Sequence, residues 1–550
     1  MCNRRIFKIF SIFLLFWFFS FSAFSEEKSA RLTDDGKIIL ENEFFQITFE
    51  PQKTGRATNL FFKPWSINLT TKDGFFVDSF REIGGEGKLF DFGFLYPDYP
   101  YQAEILSDSE NLAKIRFSLK IDEIYPDYSG WIFQKEYSLK KGEPFIYVSI
   151  RMINNGNEKK KFAYRPSHLV HFENQTVWYY VPDISGILID YDPPIGSDGR
   201  GSHGLFTLYP SAAWIGCIAD TIQKGIVFEF DWKYLDSIEA WLSSRAGSVA
   251  QWFYRIFMLS PGQSWETNYV IYPVQGLFNI SGAKSGIVGS LMIGTKNETG
   301  KPVQRDQLKQ GSTVPIKLHV YSVKDKKINY RISEKIKGNV RILKQGEIEI
   351  GGFSTAEIET PWTVPSGDTL TVISAEISDE NKQLLTIEQP VETGRNIELY
   401  QAKIPDEKQY GESAGFVHGR PPVPEEVKKI DLNFVSPHQQ WAKPYVYGKT
   451  KLLFVYRSHT LVHLREIVER GDFDISLLAT TPEKPYQQMR EIPERIKNFA
   501  PEVMLFTAFD WKSGFPPGII DIITNWVIGV EDLLLMQTFQ IQCSCQFLNL

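Results

Sequence analysis

The chain has 550 residues, with 60 Lys or Arg against 66 Asp or Glu, and its net charge of −6 argues against a nucleic-acid binder built on a basic face. Its 4 cysteines do not make a disulfide framework, and a chain of this length buries enough core without one. Aromatic residues reach 14%, a supply that strand-rich proteins spend mainly on cores and cross-strand pairs.

At the start, Arg4, Arg5 and Lys8 precede an apolar run over 9–24, and Ala23-Phe24-Ser25 stands just before Glu26 and Glu27. A positive start, a short apolar segment and a small-x-small site predict a secretory signal peptide over 1–25. The run is short for a membrane span of about 20 residues, and an uncleaved N-terminal anchor is the alternative. Either way the body is expected outside the cytoplasm, periplasmic or extracellular. No later window approaches a membrane span, and loss of the three leader cations leaves the remainder more acidic.

From Lys37 to Tyr272, short alternating or aromatic-rich segments such as 45–49, 114–119, 145–150 and 226–230 are separated by Gly, Pro, Asn and Asp turns. Many strands at short spacing predict a large antiparallel sandwich or barrel. A second β segment over 288–392, with strands near 314–323, 339–343, 346–350 and 370–377, fits an immunoglobulin-like β-sandwich. Residues 393–450 are rich in Pro, Gly and charge, including Arg420-Pro421-Pro422-Val423-Pro424, and predict a linker or an extended wrap.

After the linker the period changes. Strands at 451–456, 473–478 and 502–506 alternate with helical spacing at 461–470, 486–499 and 518–528, which predicts a parallel sheet with right-handed crossovers. Doubly wound domains commonly use five or six strands, so 451–550 is expected to be a partial flavodoxin-like α/β domain. The tail 536–550 does not resume the pattern; a truncated or frame-shifted coding sequence and a naturally short, capped domain both remain open. The fold class expected for the whole is mostly β: a large antiparallel supersandwich, an immunoglobulin-like sandwich, then the partial α/β domain.

Two family resemblances sit on these segments. The stretch FQKEYSLKKG at 133–142, INNG at 153–156, YRPSH at 164–168 and LSPGQSWE at 259–266 together resemble galactose mutarotase-like domains. That resemblance covers 31–276 and implies a twisted supersandwich with a sugar site on one concave face. The segment 451–530, with LFVY at 453–456, RGDFDI at 470–475 and FDW at 509–511 before Pro516-Pro517, resembles the first half of a class I glutamine amidotransferase-like domain. Active members of that family carry a Cys nucleophile after a later strand, with His and Glu beyond it. Cys543 and Cys545 have no downstream His, so no nucleophile is assigned and no amidotransferase activity is expected.

In mutarotase-like enzymes a His and a carboxylate exchange protons with the ring oxygen and the anomeric hydroxyl, and the resemblance implies His168 for the first role. Its partner stays open among Glu229, Asp231 and Glu239. On a continuous strand His168 and His171 face opposite sides, so they make no metal pair; Arg165 shares parity with His171, and His168 with Tyr164. Over 228–234 the alternation places Glu229, Asp231 and Lys233 on one face. A locally bonded histidine and a solvated acidic face are the plain alternatives.

The polar loop 192–204 offers Arg200 and His203 to a sugar or a uronate carboxylate. Trp178, Tyr180, Trp232, Trp241 and Trp252 are stacking candidates, each also a good core residue. The expected sugar contacts are therefore Arg165, His171, Trp178, Arg200, His203 and Trp252. No phosphate loop, zinc spacing or Gly-x-Ser-x-Gly elbow appears, so no metal and no cofactor are expected. The reading is an exported carbohydrate-binding or carbohydrate-processing accessory protein with no nucleic-acid partner. The alternatives are a sugar-acting enzyme of epimerase or lyase type using His168 and a carboxylate, and a structural or assembly protein with partners in the cell envelope.

Overall fold

The computed structural model describes residues 29–70, 74–82, 89–91, 99–121, 128–172, 175–184, 186–192, 203–207, 210–219, 221–242, 248–294, 308–367, 369–380, 382–393, 402, 450–456, 473–479, 489, 491–507 and 518–529. The leader 1–25, the helical spacing at 461–470, the loop residue Arg200, the FDW segment and the tail with Cys543 and Cys545 lie outside them.

Three antiparallel sheets share the first core. A five-stranded meander runs from Ala30–Leu32 to Ile67–Asn68. A nine-stranded sheet is centred on Ser264–Gln275, paired on one side with Lys224–Phe230 and on the other with Ile146–Asn154. A seven-stranded sheet has Leu235–Leu242, Ser248–Tyr254 and Lys160–Val170 side by side at its middle. The period of two predicted for these segments is explicit in their burial. Phe45–Glu50 and Trp131–Lys140 alternate strictly between buried and more exposed residues, so each strand gives one face to the interior.

Aromatic rings fill that interior. Trp252 stacks on Phe230 with centroids 4.3 Å apart and planes 9° from parallel, and Tyr164, Tyr254 and Trp265 pack beside them. Each such side chain contributes about 1.5–3 kcal/mol on burial, which is ample for a core without disulfides.

The motifs INNG and LSPGQSWE meet in space. Asn154 is fully buried; its Nδ2 donates to Glu158 O and Leu259 O, both at 2.9 Å, and its carbonyl accepts the Gly262 N–H at 2.7 Å. Gly156 N–H donates to Asn154 Oδ1, and a Cβ at Gly156 would stand 2.3 Å from Ser129 O, so only glycine fits there. These motif residues build a turn clasp.

The second sandwich opens at Gly282–Lys284 and packs two four-stranded sheets, with Thr313–Ser322 central to one and Lys326–Ile336 and Thr369–Asp379 central to the other. The two strands expected at 339–343 and 346–350 are one, Asn339–Ile350: the interior Gly346 does not break the ladder because its partner across the pair is Tyr330, whose ring lies over it. Of the linker 393–450, Ala402 is described away from its two ends, and its N–H donates to Ile184 O at 2.7 Å on the first sandwich.

Parallel strands Thr450–Tyr456, Phe473–Ala479 and Val503–Thr507 form a third unit with the first strand in the middle, the 2-1-3 order of a flavodoxin-like sheet. The helices described with it are Ile492–Phe499 and Ile519–Gly529. No described helix is long and apolar enough to cross a membrane.

Candidate functional site

Strand Lys160–Val170 divides its side chains between two environments. Tyr164 and His168 point into the core between the sheets, whereas Arg165, Ser167 and Leu169 point to the opposite, outward face of the seven-stranded sheet. Pro166 does not shift the register, since 162–167 pair without interruption against 77–82.

His168 is fully buried, with rings of Phe75, Phe76, Phe228, Trp252 and Tyr269 around it at centroid distances of 4.9–5.4 Å. Neither ring nitrogen has a hydrogen-bond partner among the described residues. Burial first, and the Lys135 cation second, push its pKa well below the ordinary range, so the ring stays neutral.

The three carboxylates expected as its partner lie elsewhere. Glu229 is on the nine-stranded sheet, where its carboxylate accepts the Ser285 N–H at 2.7 and 3.0 Å and the Tyr272 hydroxyl at 3.2 Å; burial raises its pKa. It fastens the first hairpin of the second sandwich to the first. Asp231 follows the end of strand Lys224–Phe230 and caps a turn by accepting the Lys233 N–H at 3.0 Å, so the shared face expected for Glu229, Asp231 and Lys233 stops with the strand. Glu239 is on the outward face of the seven-stranded sheet, across the backbone layer from His168. The paired His168 and carboxylate are thus corrected: an inward histidine cannot meet an outward or remote acid through an intact sheet.

A neutral, unsatisfied histidine in an aromatic box has a measurable consequence. The unfolded chain binds a proton near pH 6.5 while the folded one does not, so stability is fully present above that pH and is lost as pH falls toward the depressed folded pKa. His168→Leu is expected to raise stability by about 1–3 kcal/mol and to flatten this acid limb by one proton, read from thermal melts between pH 4 and 7. An unaltered acid limb in the variant would contradict the burial described here.

What the fold does assemble is on the outward face. Strand pairing sets Glu239 opposite Gln251, and Gln251 opposite Ser167, in one row across three strands. Ser167 Oγ donates to Gln251 Oε1 at 2.9 Å, and Gln251 Nε2 donates to Glu239 Oε2 at 2.6 Å. Arg165 lies in the next row, its guanidinium carbon 5.5 Å from the Phe253 ring centroid. On the other side Trp241 packs with Val77, Leu169 and Val249 in a small apolar cluster separate from the main core. Arg165, Glu239 and Trp241 remain partly exposed.

The other expected contacts are dispersed. Trp252 is core and Trp178 is buried beside Tyr191, so neither offers a free ring face. His171 follows the end of strand Lys160–Val170, and its N–H donates to Leu69 O. His203 begins strand His203–Thr207, with its side chain outside the described residues, as is all of Arg200. Ser167 and Gln251 were not predicted as site residues; parity with Arg165 marks Ser167, but Gln251 emerges only through pairing. Among the described residues no group of His, Cys, Asp and Glu is arranged to hold a metal ion.

No protein-family model matches the chain, and no curated protein does. Similar solved structures include a galactose mutarotase-like protein from Clostridium acetobutylicum, 11% identical, with 45% of this chain and 98% of that chain covered at a TM-score of 0.34. A putative aldose 1-epimerase from Klebsiella pneumoniae is 11% identical, with 43% and 79% covered and a TM-score of 0.29. A putative mutarotase from Salmonella typhimurium is 9% identical, with 48% and 99% covered and a TM-score of 0.31.

Proposed function

We propose that the chain is an exported carbohydrate-binding protein, without amidotransferase activity, whose sugar site is the outward face of the seven-stranded sheet. The observation that carries this reading is the hydrogen-bonded row Glu239, Gln251, Ser167, flanked by Arg165 and Trp241. Ser167 and Gln251 are buried and hold the half-buried Glu239 carboxylate in place, so Glu239 and the neighbouring Arg165 are the polar groups this face offers to sugar hydroxyls. A carboxylate and an amide are held in fixed orientation, and little ordering entropy is left to be lost on binding. Trp241 supplies an apolar surface for the C–H face of the ring, the usual mixture of one aromatic and a few placed polar groups.

Isothermal titration of the full chain against neutral monosaccharides and oligosaccharides tests the reading. Binding that weakens on Trp241→Ala supports it; folded protein that binds none of them overturns it. For export, motivated by Arg4, Arg5, Lys8 and the apolar run after them, the expected result is a secreted product whose N-terminus begins after Ser25. A product retained in the cytoplasm with its leader intact is the contrary result.

A further inference from the structure

A cleft of about 550 Å³ opens between the first and second sandwiches, with Gln223, Lys224 and Phe278 on one wall and His319, Phe353 and Glu357 on the other. Its walls are tied together. Gln275 Nε2 donates to Phe353 O at 2.6 Å, Thr355 Oγ1 donates to Gln275 O at 2.7 Å, and Trp65 Nε1 donates to Gln275 Oε1 at 2.8 Å. These ties fix the walls against each other, and the cleft's size suits a small molecule.

The charges on its walls are not matched to each other. Lys224 is half-buried, its Nζ lies 5.5 Å from the Trp65 ring centroid, and it forms no ion pair with a carboxylate among the described residues. On the second sandwich, Glu357 accepts from His319 Nε2 at 2.9 Å and stands 3.3 Å from Lys317, yet 47% of its side chain stays exposed. The histidine hydrogen bond holds the Glu357 carboxyl below its ordinary pKa, which keeps it an acceptor at neutral pH. The cleft lining therefore offers one cation without a counterion among the described residues, one ionised acceptor, and the partly exposed rings of Phe278 and Phe353.

We propose that this cleft binds an acidic sugar, with the sugar carboxylate on Lys224 Nζ, ring hydroxyls donating to Glu357, and the apolar ring face against Phe278 or Phe353. A neutral sugar leaves Lys224 unanswered, and a simple anion leaves Glu357 facing a like charge; a carboxylate joined to a polyol answers both. The inference rests on the chain being a carbohydrate binder, but it concerns a second site, built from the nine-stranded sheet and the second sandwich rather than from the seven-stranded sheet that carries Glu239 and Gln251.

Titration of the full chain with glucuronate, its uncharged amide, and glucose separates the two sites. Glucuronate is expected to bind at least tenfold more tightly than the amide, and Lys224→Gln is expected to remove that preference while Lys224→Arg retains most of it. Glu239→Ala is expected to leave it intact. Equal affinity for glucuronate and its amide, or a preference unchanged by Lys224→Gln in a variant with the wild-type melting temperature, overturns the acidic-sugar site alone. No binding of any sugar overturns this site and the broader carbohydrate reading together, whereas neutral-sugar binding abolished by Glu239→Ala with no glucuronate preference leaves the broader reading standing.

Discussion

Replacing Asp78 by alanine is expected to lower the stability of the first sandwich by about 3–5 kcal/mol, because it strands a buried cation. Lys135 is completely buried, with its Nζ 2.6 Å from Asp78 Oδ2 and 3.1 Å from Phe76 O. Asp78 also accepts the Tyr164 hydroxyl at 2.8 Å and the Tyr101 hydroxyl at 3.4 Å, so one carboxylate satisfies three donors in the space between two sheets. Burial already draws the Lys135 pKa down, with Asp78 opposing the shift. Without the carboxylate, the amine either stays charged among the Tyr101 and Tyr137 rings or gives up its proton, and both are costly.

The double variant Asp78→Ala, Lys135→Met is expected to recover most of the loss, since an apolar replacement for a buried pair is often nearly neutral. Tryptophan fluorescence during thermal melting reads chiefly the first sandwich, which holds Trp131, Trp252 and Trp265 in its core, with Trp362 reporting on the second. A single variant that melts with the wild type would refute the account of this pair.

The second large effect is expected at Glu239. Glu239→Ala removes the carboxylate end of the Ser167, Gln251, Glu239 row, and a hydrogen bond to a carboxylate is worth about 1.5–3 kcal/mol. Affinity for a sugar bound on this face should therefore fall about 10- to 100-fold. Gln251→Ala should cost nearly as much, and the two together less than their sum, because Gln251 is held in place by the residue it serves. Titration of the three variants measures this, and fully additive losses would mean that the row does not act as a unit.

Much of the architecture was legible in the residues. Segments 45–49, 114–119 and 226–230 are strands where the alternation places them, and the change of period after 450 marks a parallel sheet with helices. The candidate site was legible only in fragments. Parity correctly separated Arg165 from His168, but it could not say which of them faces the core. The motif containing His168 marks the inward side of its strand, where the histidine is enclosed by aromatic rings. Asp231 was misplaced for a local reason: alternation in the sequence continued past Phe230, while the chain turned there with Asp231 capping the turn.

From the sequence alone came everything with a short range: strand periodicity, turn chemistry, and the succession of three units, each of which depends on residues a few positions apart. The tertiary structure alone decided which side chains share a face and a partner. Ser167 and Gln251 are 84 positions apart and join through antiparallel pairing, and Lys224 meets the cleft that holds Glu357 only because two sandwiches are packed together. Strand pairing and packing between sheets are set by the whole buried core rather than by any one segment, so the chemistry they bring together is written nowhere locally.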